Sequence, residues 1–366
     1  MKMTLLKCPG ESPEKVLKLF DEIYSKTRIF YLLKTALDLN LFDYLNDFKS
    51  AEELADMLNT NLTLTKYMLR IFTELGILES RVEMNSNSSN ITNNIIYRNT
   101  NITNTYLKKD SEFSIINPIS YYFENIKNWE NLIDILKNKD NFSNTDTNNF
   151  FPEVVKRMAD ECKCWELQKV LYYISKYEEF KNAKKLLDLA GGHGLYAIGF
   201  SMLNKNLKCR VFDLPNVVEE TKKFIEKYNA KNISTIAGDF YKDDIGNDYD
   251  IIFTSYNPGG KNPNIAKKVY NALNNGGLFI NKQFFPEKEE HIEDYLNNME
   301  WNFSKPAGLE KSRLRFTFKG DLNFDDYLKY LENLGFKILE VVDIPELLGF
   351  KNNSPAKMIV AKKSSK

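Results

Sequence analysis

The sequence has 366 residues, 43% of them hydrophobic and 27% charged, with 50 basic side chains balanced by 50 acidic ones. That length suits two domains, each large enough to bury a core. Zero net charge removes any global field that would draw nucleic acid or an anionic membrane, a local basic face aside. The apolar stretches break at Lys, Asp or Asn well short of the roughly 20 residues a bilayer span needs, and the opening MKMTLLKCPGESPEKV turns to Pro, Gly and charge too soon for a signal peptide. A cytoplasmic protein with no membrane partner is the expectation.

Residues 13 to 80 carry apolar side chains at three- and four-residue spacing, the stripe of core-facing helices. Within them Ser50 and Glu53 fit a capping box, Asn61 and Thr63 break the pattern, and a second short helix runs to Gly76. The segments ILESRVEM and NNIIYRNT then read as paired strands, which completes a winged-helix outline over residues 1–110. The polar run NSNSSNITNN between them reads as a disordered tip. Residues 111–180 are helical again and rich in Phe, Tyr and Trp, interrupted by NKDNFSNTDTNN, and form a connector. The C-x-C pair Cys162 and Cys164 stands there; it is either half a metal site or two thiols on a half-buried helix, and no second pair completes a tetrahedral set, so no metal is expected. Cys8 and Cys209 add no disulfide framework.

From Ala183 strands alternate with helices of ten to fifteen residues, so residues 181–366 are expected to form a doubly wound, mostly parallel α/β sheet. Ligands of such sheets sit beyond the carboxyl ends of the strands. The first strand of this half ends in LLDLAGGHGLYAIGF, with Asp188, Gly191, Gly192 and Gly194 spaced to let backbone approach a ligand at a helix start. A dinucleotide loop would want G-x-G-x-x-G, and the third position here is at best Ala197. An acid before the loop also repels pyrophosphate and suits an ammonium. Asp213, with Leu214 in VFDLP, lies 21 residues after Gly192, where a carboxylate takes ribose hydroxyls, and Asp239 and Phe240 follow at the next strand end. An acid for an ammonium, one for a ribose and one near an adenine describe S-adenosylmethionine.

The ordered set DLAGGHG, FDLPNV and AGDF behind a helix-turn-helix resembles the small-molecule O-methyltransferases of the plant and bacterial type, with a dimerisation domain in front of a class I methyltransferase domain. The resemblance runs from about Lys15 to Lys362. It implies a homodimer exchanging helices through the front domain, with Phe30 and Tyr31 near the partner's pocket. It also implies S-adenosylmethionine as methyl donor, S-adenosylhomocysteine as product, Gly192 and Gly194 around the methionine moiety, Asp213 on the ribose, and Asp239 with Phe240 about the adenine. His193 sits inside the loop, as a capping or filling group or as a neighbour of the cofactor.

Family members that methylate phenols carry a histidine base just after the fourth strand. Here the chain reads DYDIIFTSYNPGGKNPN, the histidine position falls on or beside Gly259, and no His, Glu or Asp stands from Ile251 to Ala266. Three readings stand: an acceptor needing no base, a base from elsewhere such as His291 in EEHIEDYLNNMEWNF (otherwise a solvated surface histidine), or cofactor binding without transfer. Tyr256 and Asn257 are the candidates to contact a substrate. The turn Pro258–Gly260 offers backbone N–H groups to an anion, and Lys261 either assists or is an exposed lysine at a helix start. The rival class is a ligand-sensing DNA-binding regulator, with TLTKYMLRIFTEL as recognition helix; Lys66 and Arg70 among apolar residues argue for burial instead.

Overall fold

A computed structural model describes residues 9–85, 92–137, 147–287, 291–303, 311–312, 314, 316–352 and 354–364. Cys8 and part of each polar interruption, 86–91 and 138–146, lie outside these. The chain divides into two compact units, Met1–Phe123 and Glu124–Lys366.

In the first unit a long helix, Glu14–Asp38, leads through a 3-10 turn at Leu41–Tyr44 to the helices Ala51–Leu58 and Leu62–Glu74. The expected capping box forms: the Ser50 hydroxyl accepts from the Glu53 N–H at 3.2 Å, and the Glu53 carboxylate accepts from the Ser50 N–H at 2.6 Å. Asn61 caps the second helix by accepting from the Leu64 N–H at 3.1 Å. Strands β1 (Lys49–Ser50), β2 (Leu78–Asn85) and β3 (Thr92–Asn99) form an antiparallel sheet in the order β1-β3-β2. Leu41, Phe42, Leu54, Leu69 and Phe72 are its buried core. Helix Leu62–Glu74 turns Leu64, Tyr67 and Ile71 outward, and its Lys66 is paired with Glu52 at 2.5 Å. Its exposed face is therefore more apolar than basic.

The second unit is built on seven strands: β4 (Lys185–Leu189), β5 (Lys208–Asp213), β6 (Ile233–Ala237), β7 (Tyr249–Ser255), β8 (Leu273–Phe284), β9 (Phe336–Asp343) and β10 (Ala356–Lys363). Their order is β6-β5-β4-β7-β8-β10-β9, parallel from β6 to β8, with β10 antiparallel to both of its neighbours. The chain winds outward from β4 and returns to β7 on the other side, so the strand order reverses between β4 and β7, where such sheets bind ligands. Side chains alternate between two cores, as the pleat demands. Leu186, Phe253 and Ile280 face the helices Glu166–Ile174 and Leu195–Leu203, while Leu187, Ile252 and Phe279 face Pro263–Ala272 and Phe324–Leu334.

Two boundaries differ from the sequence reading. Helix Thr147–Cys162 takes in the last three residues of the second polar run. The apolar run GLFINKQFF reads as a strand from Gly277, but β8 begins at Leu273, because the ladder slips between Tyr249 and Ile251 and Gly276, at φ 78°, absorbs the extra residues.

Helix packing on the sheet depends on one close approach. A Cβ on Gly199 would lie 2.2 Å from Leu171 Cδ1 and 3.1 Å from its Cγ. Gly199→Ala is expected to destabilise the protein by about 1–3 kcal/mol despite alanine's better helix propensity. Adding Leu171→Ala should recover part of that loss in urea titrations, whereas additive losses would place the strain elsewhere.

Candidate functional site

The carboxyl ends of β4, β5, β6, β7 and β8 form one edge, and the predicted residues collect along it. After β4 the chain turns through left-handed backbone at Ala190 (φ 55°), Gly192 (φ 53°) and Gly194 (φ 68°) before entering its helix. Gly191 is required by contact: a Cβ there would stand 2.6 Å from Asp188 Cγ and 2.8 Å from Val211 Cγ1. Four of the loop's N–H groups are spent internally. Gly191 donates to Phe212 O, Gly192 to Asp213 Oδ2 at 2.8 Å, Gly194 to Gly191 O, and Leu195 to His193 Nδ1 at 3.0 Å. His193 is thus a cap for the first helical turn, and burial pushes its imidazole down to about 4, so it is neutral.

Asp188 is 1% exposed, and its Oδ2 has no hydrogen-bond partner among the described residues. Burial pushes its carboxyl up to about 7; the Ala197 N–H opposes this and the Asp213 charge adds to it. Asp213 uses both oxygens on backbone, Oδ2 for Gly192 and Oδ1 for the Leu214 N–H at 2.7 Å, and burial pushes it up to about 6. Asp239 ends the next connection. Burial raises its carboxyl, but Lys242 at 2.8 Å and the Tyr241 N–H at 2.9 Å hold it net below the ordinary range.

The turn after β7 is organised against the expectations for it. Asn257 spends both ends of its amide locally, donating to Thr254 Oγ1 and accepting from the Gly259 N–H at 3.1 Å. Gly260 donates to Asn257 O, so the turn keeps its N–H groups for itself and offers none to an anion. Phe240 and Tyr241 pack with ring centroids 4.7 Å apart, tilted by 35°, and press on Gly259, where a Cβ would meet Phe240 Cε2 at 2.4 Å and the Tyr241 hydroxyl at 3.0 Å. Lys261 is buried, not solvated: its ammonium donates to Phe284 O, Phe316 O and Thr317 Oγ1 at 2.8–3.0 Å, with Asp321 at 3.7 Å. Burial drags it down to about 8, against the pull of Asp321. Tyr256 adopts φ 48° and stacks on Phe284 at 4.4 Å, which stacks in turn on Phe316 at 4.5 Å. His291 is exposed ahead of helix Ile292–Phe303, and its ring makes no hydrogen bond or ion pair among the described residues.

One cluster escaped the sequence reading. Lys282 is fully buried, donates to Tyr196 Oη at 2.7 Å, pairs with Glu166, and lies 4.1 Å from the centroid of the Tyr256 ring. Burial drags it down to about 7, with Cys162 opposing. A lysine inside the apolar strand LFINKQFF, two residues beyond Ile280 on the same pleat face, was the available signal.

The unpaired Asp188 oxygen has a thermodynamic consequence. A carboxyl whose folded pKa rises from the ordinary 3.8 to about 7 holds its proton better when folded. Stability is then full below about pH 4 and declines as pH climbs to about 7, on the order of 4 kcal/mol for this one group. Asp188→Asn should flatten that decline and raise the melting temperature of the ligand-free protein at pH 8. A mutant with the wild-type pH slope would show that Asp188 is not the source.

Comparison with known proteins converges on one family. An O-methyltransferase domain matches residues 137–312, and an O-methyltransferase dimerisation domain matches residues 22–109. An uncharacterised protein of Methanocaldococcus jannaschii is 71% identical over 98% of this chain and 100% of its own length. Acetylserotonin O-methyltransferase of Gallus gallus is 27% identical over 58% of this chain and 62% of its own. Among solved structures, the fold is shared with an O-methyltransferase family protein from Burkholderia thailandensis (TM-score 0.68, 16% identity, 98% of this chain and 99% of that one). It is also shared with human N-acetylserotonin methyltransferase in complex with S-adenosylmethionine (TM-score 0.65, 17% identity, 98% and 100%). The chain belongs to the S-adenosylmethionine-dependent O-methyltransferase family.

Proposed function

We propose that this protein transfers a methyl group from S-adenosylmethionine to an oxygen or sulfur of a small molecule, as a homodimer, and that orientation rather than a histidine base supplies the rate. The observation that carries the second half is the packing at Gly259, where Phe240 and Tyr241 fill the space any side chain would need.

The residues at the edge fit the cofactor. Asp188 presents a buried, unpartnered carboxylate oxygen, which suits the ammonium of an amino-acid tail. Gly191, Gly192, Gly194 and Leu195 use their N–H groups internally, which weakens the loop as a phosphate cradle. Asp213 keeps lone pairs for ribose hydroxyls beyond its two backbone bonds, beside Leu214, while Asp239 and Phe240 frame the adenine. Gly191, Gly192 and Gly194 keep the loop close to its ligand.

S-adenosylmethionine supplies a methyl carbon made electrophilic by its sulfonium. An acceptor that is a thiolate, an already ionised hydroxyl or another soft centre attacks that carbon as the carbon–sulfur bond breaks, and no proton need move. A positioned base is worth typically 10²–10⁴-fold, or about 3–5 kcal/mol, whereas alignment of two reactants supplies about 7–11 kcal/mol. The second term carries the reaction without the first. Tyr256 stands nearest this role at the turn, held by its stack on Phe284.

The activity is tested with methyl-labelled S-adenosylmethionine and a cell extract split into small-molecule and macromolecular fractions. Label is expected in the small-molecule fraction. Label only in macromolecules, or none at all while S-adenosylhomocysteine binds, would sink the proposal.

For the homodimer, the support is the dimerisation domain and an apolar stripe on helix Glu14–Asp38: Val16, Phe20, Ile23 and Tyr24 are each at least half exposed. Sedimentation should give a dimer for wild type and a monomer for Phe20→Glu; a monomeric wild type would exclude this arrangement.

A further inference from the structure

Lys282 is the only cation in a corner that also buries Asp188 and holds Glu166, among the described residues. Position puts Lys282 and Asp188 together. Asp188 on β4 is level with Phe253 on β7, and Phe253 with Ile280 on β8. Residues level in adjacent parallel strands share a face, so Lys282, two places beyond Ile280, lies on the Asp188 face, one pleat step nearer the ligand edge. Tyr196 links them: it sits in the first turns of the helix that follows the glycine loop, accepts from Lys282 at 2.7 Å, and feels the Asp188 charge.

The hydrogen bonds of Lys282 are incomplete. An ammonium has three donors. One goes to Glu166 Oε1 and one to Tyr196 Oη, whose own hydroxyl donates to Glu166 at 3.1 Å. The third has no acceptor among the described residues and faces the Tyr256 ring. So one face of the sheet edge carries a buried anionic oxygen without a donor and a buried cation with a donor to spare. A zwitterion satisfies both at once.

Building on the cofactor reading above, we propose that Lys282 binds the carboxylate of the cofactor's amino-acid tail while Asp188 binds its ammonium. Glu166, with 23% of its side chain exposed, stays on Lys282 from the solvent side or yields to the incoming carboxylate. Among Asp188, Glu166 and Lys282 there is one negative charge in excess when Asp188 is ionised, with Asp213 adding to it nearby, and the methionine end of S-adenosylmethionine, with ammonium, carboxylate and sulfonium, carries one positive charge. Burial drags Lys282 down to about 7 even with Glu166 beside it, and an arriving carboxylate adds a second anion that favours its charged form.

The test compares S-adenosylhomocysteine with its decarboxylated analogue, which keeps the ammonium and loses only the carboxylate, by calorimetry on wild type, Lys282→Met and Glu166→Gln. Wild type should prefer S-adenosylhomocysteine at least about tenfold, as expected for one charge-assisted hydrogen bond in a buried setting. Lys282→Met should weaken S-adenosylhomocysteine to the level of the analogue and leave the analogue's own affinity within about twofold. Glu166→Gln, which removes the competing anion, should preserve or widen the wild-type preference, and stands in if Lys282→Met does not fold. Equal binding of the two ligands by wild type, an unchanged preference in Lys282→Met, or a parallel loss of both ligands would overturn the assignment. Wild type that binds neither ligand would instead remove the cofactor reading, and this inference with it.

Discussion

The carboxylate of Asp188 has no room to turn away. Gly191 crosses it so closely that a methyl group would overlap both its Cγ and a Val211 methyl, and one oxygen is left without a donor. Much of the second unit follows from that crowding. The loop must pass in left-handed backbone at Ala190, Gly192 and Gly194, because an extended path would lift it off the sheet. Asp213 must then reach across from β5 to hold Gly192, which joins the ends of two strands into one edge. His193 and the Leu195 N–H start the helix immediately behind, and Gly199 lets that helix lie on Leu171. A ligand-free protein thus keeps an unfavourable buried acid in place with its best-packed elements, a pattern expected where binding geometry has been favoured over stability.

The acceptor side is arranged by the opposite logic. There the donors of the turn are used and the space over Gly259 is filled. Asn257 closes the turn on itself, Lys261 pins Phe284, Phe316 and Thr317 with its three donors, and Phe240 and Tyr241 occupy the space over Gly259. A glycine at that point is therefore a packing requirement set by the residues after β6 and not merely a lost side chain. Restoring a histidine at Gly259 alone would displace two rings, so the absence of a base there is a property of the whole edge.

How much of this was legible in the sequence depended on whether a signal was local. The capping box at Ser50 and Glu53, the alternation of strands and helices, and the glycine loop are read from neighbours in the chain, and they stand in the structure as expected. The start of β8 was not, because it is set by a slip in its pairing with β7, where Leu273 meets Tyr249 from earlier in the chain, and not by its own composition. Lys261 gives the sharpest contrast. A lysine after two glycines at a helix start has every local mark of exposure, yet three acceptors from distant segments bury it. Lys282 was legible in principle, as a charge where the pleat demands an apolar side chain, but its meaning needs Glu166 and Tyr196 beside it.

Taken together, the two sides imply how binding energy is used. Once pH rises past about 7 the ionised Asp188 is a cost borne by the folded state, and a cation placed against it removes that cost. Part of the ligand's interaction therefore goes into relieving the protein rather than into apparent affinity, and the stabilisation on binding grows with the logarithm of ligand concentration. The same relief is larger for a ligand with a sulfonium than for one without, since the corner holds an excess negative charge. Electrostatics of this kind would favour the methyl donor over the demethylated product, which lacks that positive charge. Under the proposed base-free mechanism the site would still clear its product, because the charge that held the donor no longer has its full partner once the methyl has left.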